Sequence, residues 1–230
     1  MKKLIVLITI LLSHVFTFAQ TEHRTFHDNG NLKQVGQFDE NGKCTGEWKY
    51  YDYNGKLEKV GSFIEQQQIG EWIFYIDGYL YNVANYKNGV IQTDKWYHKN
   101  GRTQALGQYK NGQKTGKWKF YEESGALKQI ESYKDGKENG NWVWYYPNNQ
   151  IACKGTYKKG LETKKWRWYY DNGNLKNVCK YLNGKRNGQW NWFHENGTLL
   201  EIGDFKNGDK KGKWKFYDEK GNLTETRNYD

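Results

Sequence analysis

The sequence predicts an all-β protein: an elongated, twisted, single antiparallel sheet that meanders through a repeat array of hairpins, each about 24 residues long. Three observations lead to this fold class. Eight tryptophans form one nearly regular series along the chain. Asn-Gly and Asp-Gly pairs recur between the apolar runs, while the chain of 230 residues has a single proline. Aromatic residues make up 17% of a chain whose mean hydropathy is −1.08, so its core is expected to be aromatic.

Residues 1–19 are predicted to be a secretory signal peptide. Lys2 and Lys3 precede an unbroken apolar run over residues 4–12, and small side chains at 17 and 19 mark a cleavage site. The mature chain would be exported to a periplasm, to the cell surface or to the medium. After the leader no apolar run approaches the roughly 20 residues of a membrane-spanning helix, so no transmembrane segment is expected after cleavage.

Residues 20–230 are predicted to be one array of about eight hairpin repeats. The first strand of a repeat carries a Trp-x-aromatic-aromatic motif, as in residues 48–51, and the second a Leu-x-x-Val-Gly-x-Phe motif, as in residues 57–63. Asn-Gly and Asp-Gly pairs tolerate the positive φ of the tight turns that join antiparallel strands. The result is an antiparallel meander of about 17 strands, more than the number at which open sheets usually curl.

Side chains alternate between two faces along each strand. The tryptophan series is the expected structural core: Trp48, Trp72, Trp96, Trp118, Trp142, Trp166, Trp190 and Trp214. Small residues of the second strand, such as Gly61, would leave space for a neighbouring indole. A second aromatic row points to the opposite face and is the candidate interaction surface: Tyr51, Tyr75, Tyr121, Tyr145, Tyr169, Phe193 and Tyr217. Both faces then carry apolar stripes, so we expect the sheet to coil, to dimerise or to bind something.

No catalytic, metal or cofactor site is predicted. The histidines of the mature chain are interpreted as sharing no repeat position: His23, His27, His98 and His194. Acidic pairs such as Glu122-Glu123 fall in the polar turn after the first strand, where solvated charges are expected. Three cysteines allow one disulfide at most: Cys44, Cys153 and Cys179. We therefore expect a protein that is not an enzyme and that needs no cofactor.

The charge balance is basic but evenly distributed. Lys and Arg number 36 against 26 Asp and Glu, for a net charge of +10. The lysines recur at one or two per turn along the whole chain, which favours a solvated edge over a nucleic-acid groove. Nucleic acid is therefore not an expected partner.

The repeat resembles the variant form of the MORN repeat. The resemblance covers residues 26–229 and is carried by strings such as GEWKYYDYNGKLEKVGSF, GKWKFYEESGALKQIESYKDG, WRWYYDNGNLKNVCKYLNGKRNG and NWFHENGTLLEIGDFKNGDKKG. It implies an extended antiparallel sheet that serves as an interaction or membrane-apposition module. Some bacterial relatives are described as antitoxins, which would imply binding and neutralising a toxic protein. The predicted export argues against a cytoplasmic antitoxin.

Two departures from the repeat predict local irregularities. Lys95 and Lys165 are interpreted as replacing the glycine expected before Trp96 and Trp166, and the repeat that starts at Trp96 is two residues short.

The leading hypothesis is a non-enzymatic exported protein that acts as a protein-interaction or scaffolding module. Its partner would be an unidentified protein or a second copy in a homodimer. One alternative is an envelope or cell-wall glycan-binding module, because regularly spaced aromatic rings can stack on sugars. Another is an antitoxin-like or immunity-like inhibitor of a partner protein.

Overall fold

A computed structural model describes residues 22–230, and the predicted signal peptide lies outside these described residues. Every regular element in this part of the chain is a β-strand. The strands are β1 (Glu22–Phe26), β2 (Leu32–Phe38), β3 (Cys44–Tyr51), β4 (Leu57–Ile64), β5 (Gln67–Ile76), β6 (Tyr79–Lys87), β7 (Val90–Tyr97), β8 (Thr103–Lys110), β9 (Gln113–Tyr121), β10 (Leu127–Lys134), β11 (Lys137–Glu138), β12 (Gly140–Tyr145), β13 (Ile151–Lys158), β14 (Leu161–Tyr169), β15 (Leu175–Leu182), β16 (Lys185–Arg186), β17 (Gly188–Phe193), β18 (Leu199–Lys206), β19 (Asp209–Tyr217) and β20 (Leu223–Tyr229).

The strands form one open antiparallel sheet in sequence order, as the sequence predicts. Successive strands pair along the chain, from β1 with β2 to β19 with β20, except that β11 does not pair with β12 and β16 does not pair with β17. Two strands are interrupted, because β11 and β12 both pair with β10, and β16 and β17 both pair with β15. Strand β1 extends the array beyond the predicted count. At about 4.8 Å between strands the sheet is roughly 80 Å long.

An irregularity in the pairing makes room for each buried indole. Val60 pairs with Ile73 and Ser62 with Ile69, so residues 70–72 stand opposite Gly61 alone. A Cβ on Gly61 would lie 2.2 Å from Cδ2 of Trp72, and the Trp72 Nε1 donates a hydrogen bond of 3.2 Å to the carbonyl oxygen of Ser62. The bulge therefore frees a carbonyl that the indole uses, and the glycine leaves the ring its space, as expected from the sequence.

The sheet is a single layer. Each strand makes its close contacts with the strands next to it in the sheet. No second layer of the described residues covers either face, so the properties of the two faces decide what the protein can bind. Residues 22–230 contain no helix that is long and apolar enough to span a bilayer.

The two ends of the sheet differ from its interior. In β1, His23 stands where other first strands have tryptophan, and its ring lies 4.9 Å from that of Phe38. In β20, Arg227 pairs with Trp214 at the position that is glycine in most repeats.

Candidate functional site

The predicted interaction row lies on one face of the sheet, called here the tyrosine face: the side opposite the buried indoles. All seven predicted members are half-buried. A bulge in each second strand brings a leucine-type side chain beside each of them. Tyr51 pairs with Leu57 although Tyr50 pairs with Lys59, because Glu58 is the extra residue. The same shift recurs through the array, so aromatic and aliphatic side chains alternate along the tyrosine face.

Tyr97 also belongs to this row, although the sequence reasoning missed it. It pairs with Thr103 across the same bulge and is half-buried like the others. It was missed because the repeat was aligned on Trp96. Alignment on the turn would have found it, since Tyr97 precedes Asn100-Gly101 by the same spacing that separates Tyr51 from Asn54-Gly55.

A second row on the tyrosine face combines aliphatic side chains with cations. Its members pair directly from strand to strand, from Arg24 through Val60 to Thr226. Its charged members are all basic: Arg24, Lys49, Lys95, Lys119, Lys154, Arg167 and Lys215. Lys95 Nζ lies 4.9 Å from the ring centre of Tyr97, and Lys154 Nζ lies 5.4 Å from that of Tyr169. This second row is therefore apolar and basic together, although two of its cations, Arg24 and Lys49, form ion pairs with Glu22 and Glu47 on the same face.

The opposite side, the tryptophan face, contains the buried indoles. Seven of the eight predicted core tryptophans are buried: Trp48, Trp72, Trp118, Trp142, Trp166, Trp190 and Trp214. The prediction for Trp96 was wrong, because its side chain is 37% exposed. Asp94 occupies the core position instead: it pairs with Gly107 as Trp48 pairs with Gly61. The two-residue shortfall lies between Trp72 and Asp94, and Trp96 falls in the next aromatic row.

Asp94 is buried with its hydrogen bonds satisfied. It accepts from Asn82 Nδ2, from Trp96 Nε1 at 2.7 Å and from Tyr109 OH at 3.4 Å. Asn82 and Asp94 are each 5% exposed. Burial, with Asp94 beside it, raises the pKa of Tyr109 to about 12. A polar cluster thus replaces one indole of the core, which explains why this repeat breaks the pattern.

A second buried carboxylate, Glu131, stands where most other repeats have glycine. It pairs with Trp118 and is 8% exposed. Gln129 Nε2 donates to it at 2.9 Å and Tyr133 OH at 2.7 Å. Each donor bonds a different oxygen of the carboxylate. Burial raises the pKa of Glu131. The arrangement is that of a core carboxylate with its hydrogen bonds satisfied, and the nearby Glu138 carboxylate also raises its pKa.

A partly exposed aromatic row runs along the tryptophan face beside the core, two residues after each core position. We call it the outer row: Tyr50, Phe74, Trp96, Phe120, Trp144, Trp168, Trp192 and Phe216. The rings of this row pack against the core. The ring centres of Trp168 and Trp166, for example, are 5.8 Å apart. Two clefts open within this row on either side of Trp168.

The glycine that precedes Trp166 by two residues in the repeat is replaced by Lys164. The interpretation that Lys95 and Lys165 were the replaced positions was wrong. Lys164 has a φ of +62°, in the region that the equivalent glycines occupy, as Gly116 does at +66°. A lysine there is strained because its Cβ crowds the backbone.

Successive turns on one edge of the sheet are linked by hydrogen bonds from side chains that share one repeat position. Three histidines share it, contrary to the sequence interpretation: His27, His98 and His194. Each Nε2 lies 2.9–3.0 Å from the backbone oxygen of the aromatic-row residue one repeat ahead, and a carbonyl only accepts. Tyr146 and Tyr170 use their hydroxyls in the same way. These histidines therefore have a structural role.

The cysteines are free and buried. Burial raises the pKa of Cys153 to about 12, so its thiol is unreactive at neutral pH. Within residues 22–230 no three His, Cys, Asp or Glu side chains are placed to hold a metal ion together.

The profile of the family described as MORN repeat variant matches seven segments of the chain: residues 20–40, 45–65, 114–135, 138–159, 162–183, 186–207 and 210–230. The unmatched stretch between the second and third segments contains Asp94 and Trp96. The family match and the irregular core thus agree on where the repeat departs from its pattern. No curated protein matches this chain.

Solved structures align only distantly. A chain of the GtfA/B complex bound to UDP and GlcNAc is 16% identical over 48% of this chain and 22% of its own length, with a TM-score of 0.21. A chain of TcdB2-TccC3-TEV is 16% identical over 88% and 13%, with a TM-score of 0.24. A chain of the Photorhabdus luminescens Tc holotoxin pore is 14% identical over 92% and 13%, with a TM-score of 0.23. The protein spans less than a quarter of each of these chains, and scores of this size carry no functional conclusion.

Proposed function

Because the chain belongs to the MORN repeat variant family, we propose that it is a non-enzymatic interaction module, exported by its predicted leader, that binds a partner protein through the tyrosine face. The observation that carries this proposal is the pairing of two continuous rows on an uncovered face. One row alternates aromatic and aliphatic side chains, and the charged members of the other are all basic. Such a face complements a protein surface that is apolar and acidic.

The same charges disfavour a homodimer through this face. Two tyrosine faces brought together would place Lys119, Lys154 and Arg167 of one copy against a row of the other copy that has basic members and no acidic ones. Like charges that face each other across an interface cost roughly several kcal/mol of binding free energy unless their side chains move apart. The partner is therefore a different protein with acidic residues at the contact.

The test begins with purified residues 20–230 as bait for envelope and secreted proteins from the same cells. Each captured protein is then purified and titrated against the bait at several salt concentrations. We expect a defined stoichiometry and weaker binding at higher salt. The decisive variant combines Lys119→Glu, Lys154→Glu and Arg167→Glu, and we expect it to bind at least about tenfold more weakly.

A matched control carries the same change of charge on exposed turns, with Lys43→Glu, Lys56→Glu and Lys99→Glu. It is expected to retain the affinity of the unchanged chain. A third variant replaces Tyr121, Tyr145 and Tyr169 with Ser to remove the aromatic contact alone. If both tyrosine-face variants fold and bind every captured protein as tightly as the unchanged chain does, the proposal is wrong.

Export is tested separately by N-terminal sequencing of the protein recovered from its own cells. We expect the mature chain to begin at Gln20. An intact Met1 in a chain recovered only from the cytoplasm would contradict export and would reopen the antitoxin-like alternative.

A further inference from the structure

Two similar clefts open side by side on the tryptophan face. One, of about 390 Å³, lies between Trp144 and Trp168, and the other, of about 360 Å³, lies between Trp168 and Trp192. Trp168 is the wall that they share, and Cys153 lines both. Successive members of the outer row are two strands apart, or about 9.6 Å. A pair of equivalent clefts at a fixed spacing fits a ligand that itself repeats.

The walls of these clefts are held in place by the core. The ring of Trp144 lies 5.4 Å from that of Trp142 and 5.9 Å from that of Trp166. The ring of Trp192 lies 5.0 Å from that of Trp190. Each outer indole therefore rests on buried rings while part of its surface stays open to solvent. Walls of this kind are preorganised, so a ligand would not have to order them.

Polar groups are also placed in the clefts. Asn177 lines the second cleft and is only 5% exposed. Its Nδ2 donates to the carbonyl oxygen of Asn191 at 3.1 Å, and no hydrogen bond from the described residues reaches its Oδ1. Tyr181 lines both clefts, and its neutral hydroxyl can donate and accept hydrogen bonds. An acceptor and a hydroxyl thus stand beside flat apolar walls.

The clefts carry no consistent charge. The first contains Glu162 and the second Lys176. A polyanion would meet the carboxylate in one cleft, and a polycation would meet the ammonium in the other. The arrangement favours an uncharged ligand with apolar faces and hydroxyl edges. The C–H bonds of a sugar ring carry partial positive charge and stack on the negative face of an indole, while its hydroxyls bond to amide and phenol groups.

From this geometry we propose that the tryptophan face binds a neutral, extended polysaccharide across the two clefts walled by Trp144, Trp168 and Trp192. The walls of the site lie on the face opposite to the proposed protein-binding rows, although Tyr169 of the tyrosine face also lines the second cleft. The glycan proposal rests on the three indoles and not on Tyr169, so it can fail or hold independently of the protein-binding proposal. A partner protein and a glycan could occupy the sheet together.

The test is a titration of residues 20–230 with soluble cellohexaose and chitohexaose, followed by calorimetry and by indole fluorescence. We expect one of them to bind, and we expect Trp168→Ala to weaken that binding by about tenfold or more, because it removes a wall from both clefts. Trp96→Ala is the matched control, since Trp96 occupies the same row outside the clefts and its loss should leave affinity unchanged. Polygalacturonate, a polyanion, should bind no more tightly than the neutral probes.

The proposal is overturned if neither neutral oligosaccharide binds at millimolar concentration, or if a folded Trp168→Ala variant binds as tightly as the unchanged chain. Thermal unfolding establishes whether that variant folds. A second measurement needs no variant: saturation-transfer NMR with the unchanged chain should transfer magnetisation to the C–H protons of the sugar faces. Absence of transfer with both oligosaccharides would equally contradict the proposal.

Discussion

The indole of Trp166 lies so close to the backbone of Gly155 that a Cβ on residue 155 would stand 2.0 Å from its Cδ2. The same relationship joins Gly61 to Trp72 and Gly203 to Trp214. Packing in this single-layer sheet therefore works along the sheet: five of the seven buried indoles lie against the backbone of a glycine in the preceding strand. The stability of the array depends on these contacts between adjacent strands.

Gly155→Ala should lower the free energy of unfolding by about 2 kcal/mol, because the indole of Trp166 must shift away from the new methyl group. Denaturation by urea, followed by tryptophan fluorescence, measures the effect. Ala84→Gly is the control at the same repeat position, where the neighbour is Asp94, and should cost about 1 kcal/mol or less. Equal effects in the two variants would show that the close contact with the indole is not what matters.

Trp118→Ala and Trp96→Ala should differ in cost. Trp118 is 2% exposed and Trp96 is 37% exposed. Removing the buried ring should cost about 3–5 kcal/mol through lost burial and a cavity. Removing Trp96 should cost about 1.5–3 kcal/mol, chiefly because the buried Asp94 carboxylate loses a hydrogen-bond donor. Thermal and urea denaturation compare the two variants. A larger loss of unfolding free energy for Trp96→Ala than for Trp118→Ala would mean that Trp96 belongs to the core row after all.

Alkaline pH should destabilise the fold through its half-buried tyrosines. Burial raises the pKa of Tyr109, Tyr157 and Tyr181 to about 12, from an ordinary value of 10.0. The folded state then holds these protons more tightly than the unfolded state, so their stabilising contribution is complete below pH 10 and is lost as the pH rises towards 12. Urea midpoints measured across this range should fall.

Tyr109→Phe tests the cause of that alkaline loss, because it removes one of the three hydroxyls. Its midpoint should fall less steeply between pH 10 and pH 12 than that of the unchanged chain. Identical slopes would mean that Tyr109 does not contribute. Tyrosinate absorbance of the folded protein gives the pKa values independently.

Lys164→Gly should raise the free energy of unfolding by about 1 kcal/mol, because it relieves a positive φ that a Cβ disfavours. The neighbouring change Lys165→Gly is the matched control. Lys165 lies in regular strand, where glycine is expected to cost about 0.5–1 kcal/mol. A stabilising Lys165→Gly together with a destabilising Lys164→Gly would contradict the assignment of the strained position.

Sequence reasoning reached the repeat, the strand pairing and the second-strand glycines beside the indoles because all three are local and recur. It failed where the period breaks. Aligning every repeat on tryptophan placed Trp96 in the core and hid Tyr97, since a series of one residue type gives no sign that an acid has taken its place. The turn dipeptides carried the missing information. The sequence shows the outer row as a motif. Its clefts depend on the orientation of the Trp168 ring, and a linear pattern carries no information about that orientation.

The sequence by itself determined the class of structure, because alternation, turn dipeptides and a repeated Trp and Gly pattern leave an antiparallel meander as the consistent arrangement. The tertiary structure decided which side chains are open. Bulges rotate the leucines beside the tyrosines, and the hydrogen bonds of Asp94 allow a carboxylate in an aromatic core. The contrast between a basic face and a face of clefts arises because register, twist and ring contacts across strands set exposure, and none of these is local in the chain.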